Sequence, residues 1–321
     1  MFAQRKTSWP KQSAIVISNT PNMHMMLREL IRGFGWTVTE ATTSVELAVS
    51  TIQQGLAHLL IVDDNVDLPA LSVMRYLLND ATTCLTPTLC FVQESNKAEI
   101  PALQRIGRPE LTDKPLTPSK FLPAFTKLVK RWESSPWINM RQAVYQANNG
   151  NLATSIKSLI AATENNVVQS LAAVSLAHTF RSLGKLKQAE TILLGGLKRS
   201  PRDLGLMVAI GDFYMHAGLP KMAHRFFAGA RNAFPQSMAA IPDLIQANIL
   251  LGNLDDAIIH LYSMYKQGYI HPIQDYLARV LFAEGRDEEA ERVLHNNKSI
   301  FARLQASWLN AESQNINLAA G

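Results

Sequence analysis

The sequence predicts two folds in tandem: an α/β doubly wound domain over residues 13–131 and an all-α solenoid of helix pairs over 137–302. Two observations carry this. Through the first part of the chain, short apolar runs alternate with amphipathic stretches, the pattern of a parallel sheet flanked by helices. After it, one helical segment is written twice, SLAAVSLAHTFRSLGKLKQAETILLGGLKRSP from Ser170 and LGLMVAIGDFYMHAGLPKMAHRFFAGARNAFP from Leu204. Superposed, Gly184 falls on Gly218, Ala189 on Ala223, Leu193 on Phe227 and Pro201 on Pro235, each 34 residues apart. The glycine recurs at Gly252 and Gly285 and, stepping back, at Gly150. A fixed period of this size marks a stacked helical array.

Composition bounds the partners. The chain has 321 residues, 47% of them hydrophobic and 18% charged, enough to bury a sizeable core. Its net charge of +5 is dispersed. Only Arg5, Lys6 and Lys11 resemble a basic tail, within residues 1–12. A nucleic-acid footprint would gather charge on one face, so nucleic acid is not an expected partner. Cys84 and Cys90 make no metal spacing and suit a reducing compartment. No apolar run is long enough to span a membrane, and MFAQRKTSWPKQ lacks the apolar stretch of a signal peptide. The expected compartment is the cytoplasm, with no membrane partner.

Within the first domain, Ala14–Ile17 reads as a buried strand, followed by a helix from Pro21 to Gly33. Trp36–Glu40 is a second strand. Ser44–Gln54 is a helix, with Ser44 as N-cap and Gly55 as stop. His58–Val62 is a third strand ending on Asp63 and Asp64, and Leu71–Asn79 is helical. Thr88–Val92 is a fourth strand, Ala102–Ile106 opens a helical run, Leu111–Thr112 is a short fifth strand and Ser119–Arg131 a last helix. In such sheets, sites form at the carboxyl ends of the strands.

HLLIVDDN at the third strand and DKP at Asp113–Pro115 resemble the receiver domain of bacterial response regulators, a flavodoxin-like fold, over most of residues 13–131. The resemblance implies Asp63 as phosphoacceptor, Lys114 followed by Pro115 as the lysine–proline pair, and Asn65 as the donor of a backbone carbonyl to Mg²⁺. The departures bear on chemistry. Where the family holds two acidic residues for the metal, this chain has Ser18 and Asn19; where it has a Ser or Thr, this chain has Val92. The loop after Asp63 is one residue shorter, with Asp67 in place of a common proline. Phosphoryl transfer to an aspartate brings anion to anion, and the metal neutralises the developing charge. Asp63, Asn19 and Asn65 alone make a weak Mg²⁺ site, since that ion wants carboxylates and octahedral oxygens. The expectation is a degenerate receiver in which Asp63 pairs with Lys114. No cofactor is expected, and Mg²⁺ only if the site is active. Asp64 and Asp67 read as solvated loop carboxylates that could at most partly replace the missing acidic pair.

Residues 132–136 form a short polar join. Residues 137–302 resemble tetratricopeptide (TPR) repeats, about five helix–turn–helix units. Ala177 and Gly211 stand where the two helices of a unit approach closely, with Tyr214 packing three residues after Gly211. Gly184 and Gly218 end first helices, Ala189, Ala223, Ala257 and Ala290 recur in second helices, and Pro201 and Pro235 close units. The first unit has Ser155 for the alanine. Residues 303–321 are read as a capping helix and tail.

No nucleophile elbow, phosphate loop, zinc spacing or HExxH pattern is present, so no catalytic residue is assigned and an enzyme is not expected. What remains is a surface. First-helix residues of such an array line a groove suited to a peptide or helix, and by register these are His178, Arg181, Asp212, Met215, His216, Gln246, Arg279 and Phe282. The expected function is a non-enzymatic signalling adaptor of a two-component-type pathway, binding protein partners through the groove and through the receiver face, with a homodimer as an open option. The alternative is a working response regulator in which phosphorylation of Asp63 controls binding by the array.

Overall fold

The computed structural model describes residues 12–65, 69–235, 237–266 and 271–294. The basic tail, Asp67 and the capping helix with its tail lie outside the described residues. The chain divides into two compact units, Met1–Ala240 and Ile241–Gly321.

The first unit opens with a parallel sheet of five strands, β1 (Ser13–Ile17), β2 (Thr37–Thr42), β3 (Leu59–Asp63), β4 (Thr88–Val92) and β5 (Glu110–Asp113), in the order β2-β1-β3-β4-β5. This is the flavodoxin-like order. β1, β3 and β4 are buried throughout, as their unbroken apolar runs require. α1 (Pro21–Arg32) makes the leftward crossover from β1 to β2. α2 (Val45–Gln53), α3 (Ala70–Leu77) and α4 (Ile100–Leu103) make rightward ones. Right-handed crossovers therefore put α1 on one face and the other three on the opposite face. α5 (Pro118–Glu133) joins α1's side, where Phe34, Trp36, Phe121 and Phe125 form a cluster of ring contacts. Ser44 caps α2 through Leu47 N at 3.1 Å.

Besides shifts of one or two residues at β2 and α3, three boundaries differ from expectation. The run at Ala102–Ile106 is the short α4, preceded by a 3₁₀ turn over Glu94–Glu99. β5 extends to Glu110 and Asp113 because it pairs with β4 along Leu89–Val92. Trp132 and Glu133, expected in the join, belong to α5: the Trp132 ring is buried and packs on Trp137 at 4.8 Å, so the helix continues as far as that contact pulls it.

Helix pairs follow: α6 (Trp137–Asn148) with α7 (Leu152–Thr163), α8 (Gln169–Ser182) with α9 (Leu186–Arg199), and α10 (Leu204–His216) with α11 (Pro220–Ala233). The second unit holds α12 (Ile241–Leu250) with α13 (Leu254–Lys266), and α14 (His271–Ala283) with α15 (Asp287–Leu294). Every pair turns on the same device. At Gly184, φ is 72°, Lys185 N–H reaches back to Phe180 O at 2.8 Å, and Gly184 N–H to Arg181 O at 2.9 Å. That is a Schellman stop, and its left-handed residue favours glycine. The same reach-back bond joins Asn151 to Gln146, Leu219 to Tyr214, Asn253 to Asn248 and Arg286 to Leu281. Ala189, Ala223, Ala257 and Ala290 are fully buried between their helices, and Ser155 is buried in the first pair. Gly211 is required by contact: a Cβ there would lie 2.3 Å from the Phe227 ring.

Candidate functional site

Parallel registry brings the strand ends together, with Ile17 opposite Val62 and Asp63 opposite Phe91. Ser18, Asp63, Val92 and Lys114 thus share one edge of the sheet. Asp63 is 2% exposed; its Oδ2 is hydrogen-bonded, whereas its Oδ1 meets only an ion pair without hydrogen-bond geometry. Lys114 Nζ lies 2.6 Å from Oδ1, and Ser18 Oγ donates to Oδ2 at 2.6 Å. Asn65 Nδ2 donates to the Asp63 backbone carbonyl at 3.1 Å, and Asn19 Nδ2 reaches Asn65 Oδ1 at 3.5 Å. Val92 is buried and offers only its carbonyl, which accepts from Lys114 N at 3.1 Å. Pro115 is exposed beside it. A buried carboxylate holding an ammonium and a hydroxyl is a compensated charge, and removing either partner leaves it exposed to the desolvation penalty.

Asp64 corrects an expectation. Rather than a solvated loop carboxylate, it is 1% exposed and accepts from Ala70 N at 2.8 Å, Gln93 N at 2.9 Å and Asn96 Nδ2 at 2.9–3.0 Å. It ties the start of α3 to the loop after β4, because a carboxylate buried at a helix start is stabilised by the free N–H groups there. With its oxygens committed, Asp64 does not supply the missing metal ligand. Beside Asp63, Asn19 and Asn65 are neutral, so Asp63 is the one carboxylate among these three residues.

The second candidate surface is the inner side of the first helices. The structure brings three of its predicted residues together, but against the chain itself. His178 Nε2 bonds to Leu78 O at 2.8 Å; since a carbonyl only accepts, Nε2 carries the proton. Burial pushes this imidazole down to about 4, aided by Arg181 and His216 and opposed by the Leu78 carbonyl and Asp80. Ser175 Oγ donates to Ala81 O at 2.5 Å, and Arg181 reaches Asn79 O at 3.5 Å. Asp212 faces Arg75 at 3.4 Å, with both side chains nearly buried. Further along, Glu99 accepts from Met238 N at 2.8 Å, and burial raises its carboxyl above the usual range. His178 and Asp212 are therefore not open groove residues, because α3 and the loop after it cover them, while Arg181 stays half-exposed beside them.

The remaining groove residues are more accessible. Met215 is half-buried and His216 exposed, its Nδ1 bonded to Asp212 O at 2.7 Å. In the second unit Gln246 and Arg279 are exposed and Phe282 is half-buried. Ser175, Arg75, Asn96 and Glu99 were not singled out from the sequence. One signal was present: SLAAVSLA in α8 and LGLMVAIG in α10 carry no charge, and a helix without a polar face is covered on both sides.

No protein-family model matches the chain, and no curated protein matches it significantly. Among solved structures, MamA from AMB-1 is similar at 17% identity and TM-score 0.40, covering 52% of this chain and 95% of its own. A MamA mutant is similar at 17% identity and TM-score 0.39, covering 49% and 92%. A thermophilic TPR protein in Thermus thermophilus is similar at 20% identity and TM-score 0.35, covering 53% and 97%. The helix-pair register itself rests on the chain's own five turns. Among the described residues, no helix is long and apolar enough to cross a membrane.

Proposed function

We propose that the chain is a cytoplasmic, non-enzymatic scaffold of a two-component-type pathway. In this reading a degenerate, receiver-like domain caps the inner face of TPR-like helix pairs, and protein partners bind the face left open. The observation that carries it is the state of Asp63: it is buried, ion-paired to Lys114 and hydrogen-bonded by Ser18, and the neighbouring Asp64 is committed to Ala70, Gln93 and Asn96. That arrangement supports a structural ion pair rather than a reactive nucleophile. The partner-binding residues are then Met215, His216, Gln246, Arg279 and Phe282, and the protein needs no cofactor. The test is incubation with a small phosphodonor and Mg²⁺. No acid-labile phosphate is expected; stoichiometric phosphate on Asp63 overturns the reading.

One observation favours a second reading, the phosphorylatable regulator. α3 follows the Asp63 loop and ends on Leu77, next to the Leu78, Asn79 and Ala81 carbonyls that meet α8. Phosphate at Asp63 would compete with Ser18 for space and shift α3, uncovering His178. An Asp63→Ala chain that behaves as wild type in vivo, and that retains the same partners in a pull-down, counts against it.

A further inference from the structure

A cavity of 510 Å³ opens beside the edge strand β5, away from Asp63. Its walls come from the residues after α4, from β5, from α5 and from the start of α6. Arg105, Arg108, Lys127 and Arg131 line it against a single carboxylate, Glu110, with Trp137 as a floor. The volume falls in the range of small-molecule pockets, about 300–1,000 Å³.

The charges are not balanced internally. Glu110 is buried and already shared by Lys127 Nζ at 2.6 Å and an Arg131 nitrogen at 3.4 Å. Arg131 also donates to Arg108 O at 3.1 Å and lies over the Trp137 ring at 5.3 Å, while its Nε is buried with no hydrogen-bond partner. Burial lowers its pKa, and the neighbouring Arg108 lowers it further. Arg108 is held at φ 50°, a left-handed conformation uncommon outside glycine, and bonds to Val167 O. Arg105 is exposed and has no polar partner among the described residues. One free guanidinium and two crowded ones, around a cavity with three cations in excess of its carboxylate, are an anion receptor waiting for several negative charges.

We propose that this cavity binds a small phosphorylated ligand, its phosphoryl oxygens held by Arg105, Arg108 and Lys127. Planar guanidinium forks match phosphoryl oxygens two at a time. A lone carboxylate would neutralise only part of the excess, whereas a pyrophosphoryl group matches it. The four cations converge on one cavity rather than run along a face, which favours a compact polyanion over an extended acidic protein surface. The site does not depend on the chemistry of Asp63.

Calorimetric titration of the full chain with inorganic phosphate, pyrophosphate and a nucleoside diphosphate, at matched ionic strength, tests this. Pyrophosphate and the nucleoside diphosphate are expected to bind about tenfold or more tightly than inorganic phosphate, and more weakly as salt rises. A nucleoside diphosphate tighter than pyrophosphate identifies an organic ligand, and equal affinities identify free pyrophosphate; either supports the site. Arg105→Gln, at a residue with no partner to lose, is expected to weaken binding about tenfold with an unchanged thermal midpoint. Lys187→Gln, on the exposed side of α9, is the control and leaves binding unchanged. The proposal is overturned if none of the three probes binds, if Arg105→Gln binds as wild type, or if a polyglutamate peptide binds as tightly as pyrophosphate.

Discussion

His178, Asp212 and Gln246 stand 34 residues apart, on the first helices of consecutive pairs, yet they meet different surroundings. His178 and Asp212 are 9% and 8% exposed, whereas Gln246 is exposed. α8 is buried from Gln169 to Thr179, and α10 from Leu204 to Tyr214 except for the half-buried Met207. α12 keeps Gln246 and Pro242 in solvent. The shared register therefore specifies how two helices pair, while the composition of the inner stripe specifies whether that stripe is covered. Ser175 is small enough to admit the loop after α3, whose Ala81 carbonyl it meets; the residues in the same register on α10 and α12 are Ala209 and Asp243.

The same substitution at two matched positions should separate these effects most widely. His178→Arg places a charge against the Leu78 carbonyl and beside Arg181, and should cost about 3–5 kcal/mol, as for an uncompensated buried charge. Gln246→Arg should stay within about 0.5 kcal/mol, as on an ordinary surface. Urea unfolding measures both, with tryptophan fluorescence, to which the buried Trp36, Trp132 and Trp137 of the first unit contribute, and circular dichroism following the whole chain. Equal costs at the two positions would break the comparison.

Acid should act on the covered region alone. The His178 pKa of about 4 is below the unfolded value of about 6.5, so the unfolded chain binds the extra proton first. Stability from this group is full above pH 6.5 and falls as pH drops toward 4, by roughly 3 kcal/mol at most. The expected result is a falling urea midpoint between pH 6.5 and 4 for the first unit. His178→Leu removes that slope, at a fixed cost of about 1–3 kcal/mol for the stranded Leu78 carbonyl. A slope that survives in His178→Leu would assign the acid sensitivity elsewhere.

How much of this could be read from the sequence follows the same division. Local rules were legible. The glycine register gave five helix stops, Ser44 gave a cap, and the apolar runs gave the sheet, because each is decided within a few residues by backbone conformation or burial. Asp63 beside Lys114 was legible as well, since parallel registry makes strand ends neighbours. Contacts between distant segments were not. Ser175 to Ala81 and Glu99 to Met238 join residues far apart in the chain, and no periodicity encodes such a pairing. Asp64 looked solvated because its donors, Gln93 and Asn96, lie beyond the next strand. The uncharged stretches of α8 and α10 were the one visible sign that His178 and Asp212 face protein.

The smallest effect is the one that should not differ between the regions. Gly184 and Gly252 have φ of 72° and 75°, and neither has an atom within 4 Å of the position a Cβ would take. Gly184→Ala and Gly252→Ala therefore pay only for the left-handed backbone, about 1–2 kcal/mol each. Matched urea midpoint shifts would show that the hairpin stop is set within its own turn, in covered and open pairs alike. A much larger loss at Gly184 would mean that the cover over α8 helps to hold its hairpin closed. Register and cover would then be one cooperative device rather than two.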